Sequence, residues 1–284
     1  MIRDEIGIVR QLTGAEENSI QISDEGFLSR GYVVDGGRVV FKFKRNPDVS
    51  YKNEIQMLNY INTLDLGINL QRVGWKSEDD RYLGLYGVLG QSLTNLNMTP
   101  AQKQNAGRQL GLFLKKLHAA KPEGGIVFGL KDEIRAWGER FISGKPVLEN
   151  YFSAEEICRI SEFILRAAPE KLRGLGENLV FSHSDLGDGN ILVDDSGRIG
   201  VIDFNSAGLL DEAADFMDIG DDDLLEEMLL YYGANETLRK KVALRRSLRP
   251  MFVIGTYAYA GRGEAAVWKC IQRIQMWLNL CRLS

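Results

Sequence analysis

Residues 183–204 read HSDLGDGNILVDDSGRIGVIDF, and they decide the predicted fold and chemistry. Two short runs rich in β-branched residues, within 191–202, are joined by an Asp-Asp-Ser-Gly turn signal. Asp185, Asn190 and Asp203 fall at the strand ends or in tight turns around this hairpin. Phosphoryl transfer uses one carboxylate to orient and deprotonate a hydroxyl, and a second carboxylate with a neutral oxygen ligand to hold Mg²⁺. The stretch therefore predicts a phosphoryl-transfer site.

The same three residues also suit a purely structural role, because Asp and Asn favour turns through local hydrogen bonds. Any one of them alone supports the two interpretations about equally. Their spacing around an intervening strand, together with Lys42 and Glu54 upstream, favours the functional interpretation.

Residues 1–90 are predicted to form a small antiparallel sheet with one helix, which is an α+β unit. Strand-like runs rich in β-branched and aromatic residues occupy 18–44, with a hairpin turn signal at 35–37. The spacing of apolar residues becomes helical over 51–64, and 82–89 return to an apolar strand-like run.

Residues 92–284 are predicted to be mostly helical, so the change of pattern favours a second domain. Thr99 and Pro100 suit the cap and the first position of a helix. Further helices are expected at 131–142, 153–168, 221–232, 236–248 and 264–282.

Composition and charge exclude several classes of protein. The apolar fraction of 44% and the charged fraction of 26% are typical of a globular chain. A net charge of −4 argues against binding to a nucleic-acid backbone, and the three cysteines and two histidines suit neither a disulfide framework nor a zinc module. The N-terminus lacks the pattern of a signal peptide, and no apolar run reaches the ~20 residues of a membrane helix. We expect a cytoplasmic monomer without nucleic-acid or membrane partners.

The motif His-x-Asp-x-x-x-x-Asn at 183–190, followed by Ile-Asp-Phe at 202–204, resembles the aminoglycoside phosphotransferase family of the kinase-like fold. Residues 201–209 resemble the VIDFGDAG segment of that family, and 212–216 resemble the D-P-x-x-D-F that follows it. The resemblance covers roughly residues 18–260. It implies a bilobal α+β fold with a small antiparallel-sheet N-terminal lobe and a mostly helical C-terminal lobe.

This resemblance also implies roles for particular residues. Asp185 corresponds to the catalytic base, and Asn190 and Asp203 correspond to the Mg²⁺ ligands. His183 and Asp215 correspond to residues that support the catalytic loop.

Upstream, Val-Phe-Lys at 40–42 resembles the strand whose lysine holds the nucleotide phosphates, and Asn-Glu-Ile at 53–55 resembles the helix whose glutamate pairs with that lysine. Lys44 has the same strand parity as Lys42, and only the resemblance favours Lys42. A buried lysine of this kind needs an acidic partner, which Glu54 would supply.

Residues 84–91 lie where the family has its hinge between the lobes, so Tyr86 and Val88 are expected to contact the nucleotide. Ser29, in the first hairpin, is a further expected nucleotide contact. Among subfamilies, the aminoglycoside 2''-phosphotransferases resemble these segments most closely.

The segment 199–238 contains no Lys or Arg and is rich in Asp and Glu. It suits either a solvated acidic helix face or a negatively charged wall that attracts a cationic substrate. Under the second interpretation Asp218, Asp221 and Asp222 contact amines of the acceptor.

The resemblance and the acidic segment together favour an Mg²⁺-dependent kinase that transfers the γ-phosphoryl group of ATP or GTP to a hydroxyl of an aminoglycoside. A kinase of another small hydroxyl compound, of the choline, homoserine or sugar type, is the first alternative. A catalytically silent kinase-like binding protein is the second. The sequence leaves the choice between ATP and GTP open.

Overall fold

A computed structural model describes residues 2–23, 28–259 and 264–280, and in it the chain divides into two units. The first unit consists of Met1–Ile126, Phe181–Gly208 and Ile219–Gly233. The second consists of Val127–Val180, Leu209–Asp218 and Ala234–Ser284. The mixed α+β fold confirms the predicted fold class, whereas the predicted lobe boundaries, 1–90 and 92–284 with a hinge near 84–91, stay a prediction.

The strands are β1 (Ile20–Ser23), β2 (Ser29–Val34), β3 (Val39–Lys44), β4 (Asn69–Leu70), β5 (Arg72–Lys76), β6 (Tyr82–Tyr86), β7 (Gln91–Ser92), β8 (Ile126–Val127), β9 (Leu179–Ser182), β10 (Ile191–Val193), β11 (Ile199–Val201) and β12 (Gly208–Asp211). Those within 18–44, 82–89 and 191–202 follow the predicted runs of β-branched and aromatic residues. Strands β4, β5, β7, β8 and β12 lie outside the runs that were predicted to be strands.

The helices of the first unit are α1 (Ile2–Thr13), α2 (Lys52–Ile61), α3 (Pro100–Ala119) and α7 (Asp222–Tyr232). Those of the second unit are α4 (Leu130–Leu148), α5 (Ala154–Glu162), α6 (Ala168–Leu175), α8 (Glu236–Tyr259) and α9 (Glu264–Leu280). A turn of π-helix, Phe163–Ala167, joins α5 to α6. Thr99 and Gln102 cap α3 reciprocally, which satisfies backbone amides at its N-terminus and confirms the predicted start.

In the first unit, the described residues form an antiparallel sheet in the order β1-β2-β3-β6-β5. Alternation along β3 places Phe41 and Phe43 on one face and Lys42 on the other. The aromatic face packs against Val9 of α1. The prediction of one helix in residues 1–90 was therefore wrong, because α1 precedes the sheet and covers this face. Its apolar residues recur with helical spacing, so the signal was present.

A second, smaller sheet of the first unit has the order β4-β11-β10-β7. Strands β10 and β11 form the predicted antiparallel hairpin, in which Ile191 is paired with Val201. Strand β4 adds to β11 in parallel, and β7 adds to β10 antiparallel. The predicted hairpin is therefore the centre of a sheet, and each of its two outer edges is paired with a further strand.

Helices α3 and α7 approach each other closely because α3 presents glycines to α7. A Cβ atom at Gly111 would lie 2.5 Å from the Met228 carbonyl oxygen and 2.9 Å from the Tyr232 nitrogen. These are backbone atoms of a packed helix, so they cannot move aside as a flexible side chain would.

Gly111→Ala should therefore destabilise the fold. Overpacking of this kind costs about 1–3 kcal/mol in the free energy of unfolding. Gly7→Ala in α1 is the matched control, because its Cβ would meet nothing within 4 Å. Urea unfolding of both variants checks the prediction, and equal unfolding free energies would contradict it.

The core of the second unit is built by α4, α5, α6, α8 and α9. Trp137 of α4 stacks on Phe252 of α8 with ring centroids 5.5 Å apart. Buried aliphatic residues of α5, α6 and α9 join the same cluster. Within the described parts of the chain, no helix combines the length and apolar character that crossing a bilayer requires.

Candidate active site

The β10–β11 hairpin places two of the predicted polar residues at one end of the small sheet. Asn190 directly precedes β10, and Asp203 follows β11 by two residues. The Ile202 amide donates to the Asn190 carbonyl oxygen at 3.0 Å, which extends the ladder to this end. Because the strands are antiparallel, the start of one and the end of the other are neighbours.

Lys42 links this end of the hairpin to helix α2. Its Nζ donates to Glu54 Oε1 at 2.6 Å and to Asp203 Oδ1 at 2.9 Å. Glu54 is fully buried. Its other oxygen, Oε2, has no hydrogen-bond partner among the described residues. One ammonium group therefore serves two carboxylates.

Burial and pairing act against each other in this cluster. Burial alone would lower the pKa of Lys42, but the Glu54 and Asp203 carboxylates raise it overall. Burial opposes ionisation of Asp203, yet attraction to Lys42 and the hydrogen bond from it lower the pKa of Asp203. Burial raises the pKa of Glu54 against the attraction of Lys42. Lys42 and Asp203 are therefore held in their charged forms.

His183 is fully buried and connects two parts of the site. The Asp185 amide donates to His183 Nδ1 at 3.3 Å, so Nδ1 is an acceptor and Nε2 carries the proton. That Nε2–H donates to the Ile202 carbonyl oxygen at 2.9 Å. The ring also meets Phe204 edge to face, with centroids 4.5 Å apart. His183 therefore connects the 183–190 loop to the segment that follows β11 through these hydrogen bonds.

Asn190 contacts Asp185 through its amide group. Its Nδ2 donates to the Asp185 carbonyl oxygen at 2.8 Å and to the Asp185 carboxylate at 3.2 Å. These bonds use the NH₂ group of Asn190, and the amide oxygen is the atom that can serve as a metal ligand. Together with the Asp203 carboxylate it supplies hard oxygen donors, the type that Mg²⁺ prefers. The residues therefore fit an Mg²⁺ site.

Two residues of the site have strained backbones. Ser184 and Asp203 both have φ of +67°, in the left-handed region that side chains with a Cβ rarely adopt. The Ser184 hydroxyl donates to the Ser206 carbonyl oxygen at 2.6 Å, which helps to hold this conformation. Such strain costs of order 1–3 kcal/mol and clusters at functional sites.

Ser29 lies on the same face of the five-stranded sheet as Lys42. In the register of β2 and β3, Gly31 is opposite Lys42, and Ser29 has the same parity as Gly31. The Ser29 hydroxyl and the Tyr51 hydroxyl form a hydrogen bond of 2.8 Å. The contact of Ser29 with the nucleotide stays a prediction. Ser29 lies on the face of the sheet that carries Lys42.

The two predicted hinge contacts are placed differently. The Tyr86 side chain lies on the face of the sheet that carries Phe41, opposite to the lysine face, with its ring centroid 5.2 Å from that of Trp75. Val88 is buried, and its Cγ1 occupies the space where a side chain on Gly200 would be. Any nucleotide contact of Tyr86 would therefore involve its backbone rather than its ring.

Acidic residues at the start of α7 have partners within the first unit. Asp221 caps α7 by accepting from the Leu224 amide, and its carboxylate pairs with Lys103 at 2.6 Å. Asp223 pairs with the same lysine at 2.9 Å. Asp222 is exposed. The start of α7 therefore carries less net negative charge than its sequence alone indicates, because Lys103 of α3 pairs with two of its carboxylates.

Two further acidic residues belong to the second unit. Asp215 is fully buried, as suits a structural residue. Asp218 is mostly buried and forms an ion pair with Arg249 of α8. The acceptor-binding role of Asp218 stays a prediction. An amine of the acceptor would compete with Arg249 for this carboxylate.

Two residues that sequence reasoning did not assign also hold the segment around Asp203. The Asp203 amide donates to Gln71 Oε1 at 3.1 Å. Asn53 Nδ2 donates to the carbonyl oxygens of Asn205 at 2.8 Å and Ala207 at 3.0 Å. Asn53 precedes the predicted glutamate and could have been noticed there, whereas nothing in the sequence around Gln71 marks it.

A model of the phosphotransferase enzyme family matches residues 19–250. The chain is similar to the GDP complex of wild-type aminoglycoside 2'-phosphotransferase-IIIa, with 18% identity, 96% and 97% of the two chains covered and a TM-score of 0.74. It is also similar to the streptomycin–ATP ternary complex of APH(2'')-IIa, with 17% identity, 96% and 95% coverage and a TM-score of 0.67.

A third similar structure is a choline/ethanolamine kinase family protein from Mesorhizobium loti, with 15% identity, 97% and 94% coverage and a TM-score of 0.67. These likenesses show the fold, and the family model covers most of the chain. They confirm the predicted resemblance and the predicted enzyme class. The chain belongs to the phosphotransferase enzyme family.

Proposed function

We propose that this protein transfers the γ-phosphoryl group of ATP or GTP to a hydroxyl of an aminoglycoside, in an Mg²⁺-dependent reaction. The observation that carries the proposal is the cluster in which Lys42 contacts both Glu54 and Asp203. A lysine that a buried carboxylate holds beside a backbone in the left-handed region suits the preorganised cation that nucleotide phosphates require.

Lys42 would bind the nucleotide phosphates. Its attachment to Glu54 at 2.6 Å fixes the side chain, so less rotamer freedom is lost when phosphates bind. Asn190 and Asp203 would hold Mg²⁺, which neutralises charge on the transferred phosphoryl group when it is bound.

Asp185 would orient the acceptor hydroxyl and accept its proton. Its side chain is exposed, so a substrate can reach it. Its backbone is held by His183 and its carboxylate by Asn190. Positioning of this kind, together with charge neutralisation, supplies most of the rate enhancement in phosphoryl transfer.

The proposed acceptor rests on charge and on similarity. Residues 199–238 are rich in carboxylates, several of which are paired with Lys42, Lys103, Lys241 and Arg249. The others, such as the exposed Asp222, favour a polyamine such as an aminoglycoside. One similar structure holds streptomycin, whereas another belongs to a choline/ethanolamine kinase family. A smaller hydroxyl compound is therefore the second proposed acceptor.

The test is release of nucleoside diphosphate in the presence of Mg²⁺, with ATP and with GTP as donors. The acceptors are a panel of aminoglycosides, together with choline, ethanolamine, homoserine and simple sugars. We expect release to be stimulated by aminoglycosides and to stop when EDTA removes the metal.

The other outcomes distinguish the alternatives. Stimulation by choline or a sugar but by no aminoglycoside would replace the proposed acceptor and keep the kinase. Absence of any Mg²⁺-dependent thermal stabilisation by ATP or GTP would indicate a silent binding protein and overturn the proposal.

A further inference from the structure

Asp188 lies between the proposed base Asp185 and the proposed metal ligand Asn190, and it is tied to the protein on two sides. Its Oδ1 accepts from the Gly220 amide at 3.0 Å. Its carbonyl oxygen accepts from the Ser92 hydroxyl at 2.9 Å. The tip of the 183–190 loop is therefore anchored through this one residue, to β7 and to the segment that precedes α7.

The segment that receives the carboxylate is itself held by neighbouring elements. Asp221, directly after Gly220, caps α7 and forms an ion pair with Lys103 of α3. Helix α7 packs on α3 without space for a Cβ at Gly111. The carboxylate therefore joins the loop to two packed helices of the same unit.

Gly220 is required for this contact because a side chain there would occupy the space of the carboxylate. A Cβ at Gly220 would lie 3.4 Å from Asp188 Cγ, and nearer to Oδ2 than Cβ atoms approach oxygen in real structures. Its backbone does not need the left-handed conformation, so alanine can be introduced without strain in the backbone.

We propose that Asp188 is a positioning residue that holds Asp185 and Asn190 in their working geometry by bonding to the Gly220 amide. Asp188 follows Asp185 by three positions and precedes Asn190 by two. Release of the anchor would therefore displace both groups. The inference rests on the proposed function, since it assigns Asp188 to the same loop.

The first test compares Asp188→Ala with Asp188→Asn. Asparagine keeps an oxygen that can accept from Gly220, whereas alanine does not. A misplacement of about 1 Å costs roughly 10²-fold in rate, so we expect kcat of Asp188→Ala to fall by that order. Asp188→Asn should restore most of kcat. Unchanged kcat in Asp188→Ala, or a fall in Asp188→Asn as large as in alanine, would overturn the proposal.

The second test changes Gly220, the residue whose amide donates to the Asp188 carboxylate. Gly220→Ala should lower kcat as Asp188→Ala does, because its methyl group displaces the carboxylate. In the double variant the two losses should not add, since the carboxylate that clashes is already gone. Gly7→Ala controls for the addition of a methyl group elsewhere in the unit. Additive losses would show that Gly220 acts independently of Asp188.

Amide hydrogen exchange over 183–190 in the ligand-free protein separates this inference from the proposed function, because it needs no turnover. We expect faster exchange in Asp188→Ala and Gly220→Ala, and wild-type exchange in Asp188→Asn. The wild type could phosphorylate no acceptor while hydrogen exchange still responds in this way. The anchoring role of Asp188 would then stand and the proposed function would fail. If exchange does not respond, the anchor is overturned whatever the activity.

Discussion

Asp185→Asn should reduce turnover by about 10²–10⁴-fold, the usual contribution of a general base. The substitution keeps the size of the side chain, and the Asp185 backbone can still donate to His183 and accept from Asn190. What it removes is the group that would take the proton from the acceptor. Lys42, Glu54 and Asp203 are untouched, and Asn190 keeps its bond to the Asp185 carbonyl oxygen, so nucleotide binding should stay nearly the same.

The measurements are nucleoside-diphosphate release with a saturating acceptor and calorimetric titration with the Mg²⁺-nucleotide. Asp195→Asn is the matched control, because Asp195 is an exposed carboxylate in the turn of the same hairpin. Turnover at the wild-type rate in Asp185→Asn would remove Asp185 from the proposed mechanism.

The second large effect concerns stability rather than chemistry. Arg245 of α8 is fully buried and makes a bidentate pair with Glu133, through Nε at 3.1 Å and Nη2 at 2.8 Å. It also lies 3.2 Å from Asp211, which Lys241 neutralises in turn at 2.9 Å. Arg245→Met should lower the free energy of unfolding by about 3–5 kcal/mol, because it leaves Glu133 buried without its cation.

This loss should depend on pH. Burial raises the pKa of Glu133 above its ordinary 4.5, and Arg245 opposes that rise. In Arg245→Met the opposition is absent, so the pKa rises further. A carboxyl whose pKa is higher in the folded state stabilises the fold below its unfolded pKa, and this contribution is lost as the pH rises through the folded pKa. The deficit should therefore be larger at pH 8 than at pH 5.

Urea unfolding at the two pH values checks both statements. Arg135→Met is the control on the same helix as Glu133, because Arg135 forms only an exposed pair with Asp132 and should change stability little. A deficit in Arg245→Met no larger than in this control would show that the buried pair contributes nothing. A deficit that shrinks towards pH 8 would contradict the assignment of its cause to Glu133.

Local patterns were enough to predict most of the elements around the site. The β10–β11 hairpin and the cap at Thr99 follow from periodicity and turn chemistry that act over a few residues. The contact of Lys42 with Asp203 spans 161 residues, and no local pattern encodes it. It could be expected only from the resemblance to a family.

Other parts of the site depend on tertiary structure alone. The Tyr86 ring faces away from Lys42 because the register of β3 and β6 gives the two residues opposite parity. Gln71 meets the Asp203 amide only after β4 has joined β11. Neither the register nor this parallel pairing can be deduced from residue types, since short strands with similar composition accept several registers.

The pairing of Lys42 with two carboxyl groups has a consequence for the form in which a nucleotide can approach the site. The Lys42 ammonium contacts the carboxyl groups of both Glu54 and Asp203, so the charged Asp203 already neutralises it before any ligand binds. Under the proposed function, a nucleotide without a counterion brings more negative charge to this place than one that carries a divalent cation, so the carboxylates oppose its approach more strongly. The protein should therefore discriminate between free and cation-bound nucleotide at the encounter, before any chemistry begins.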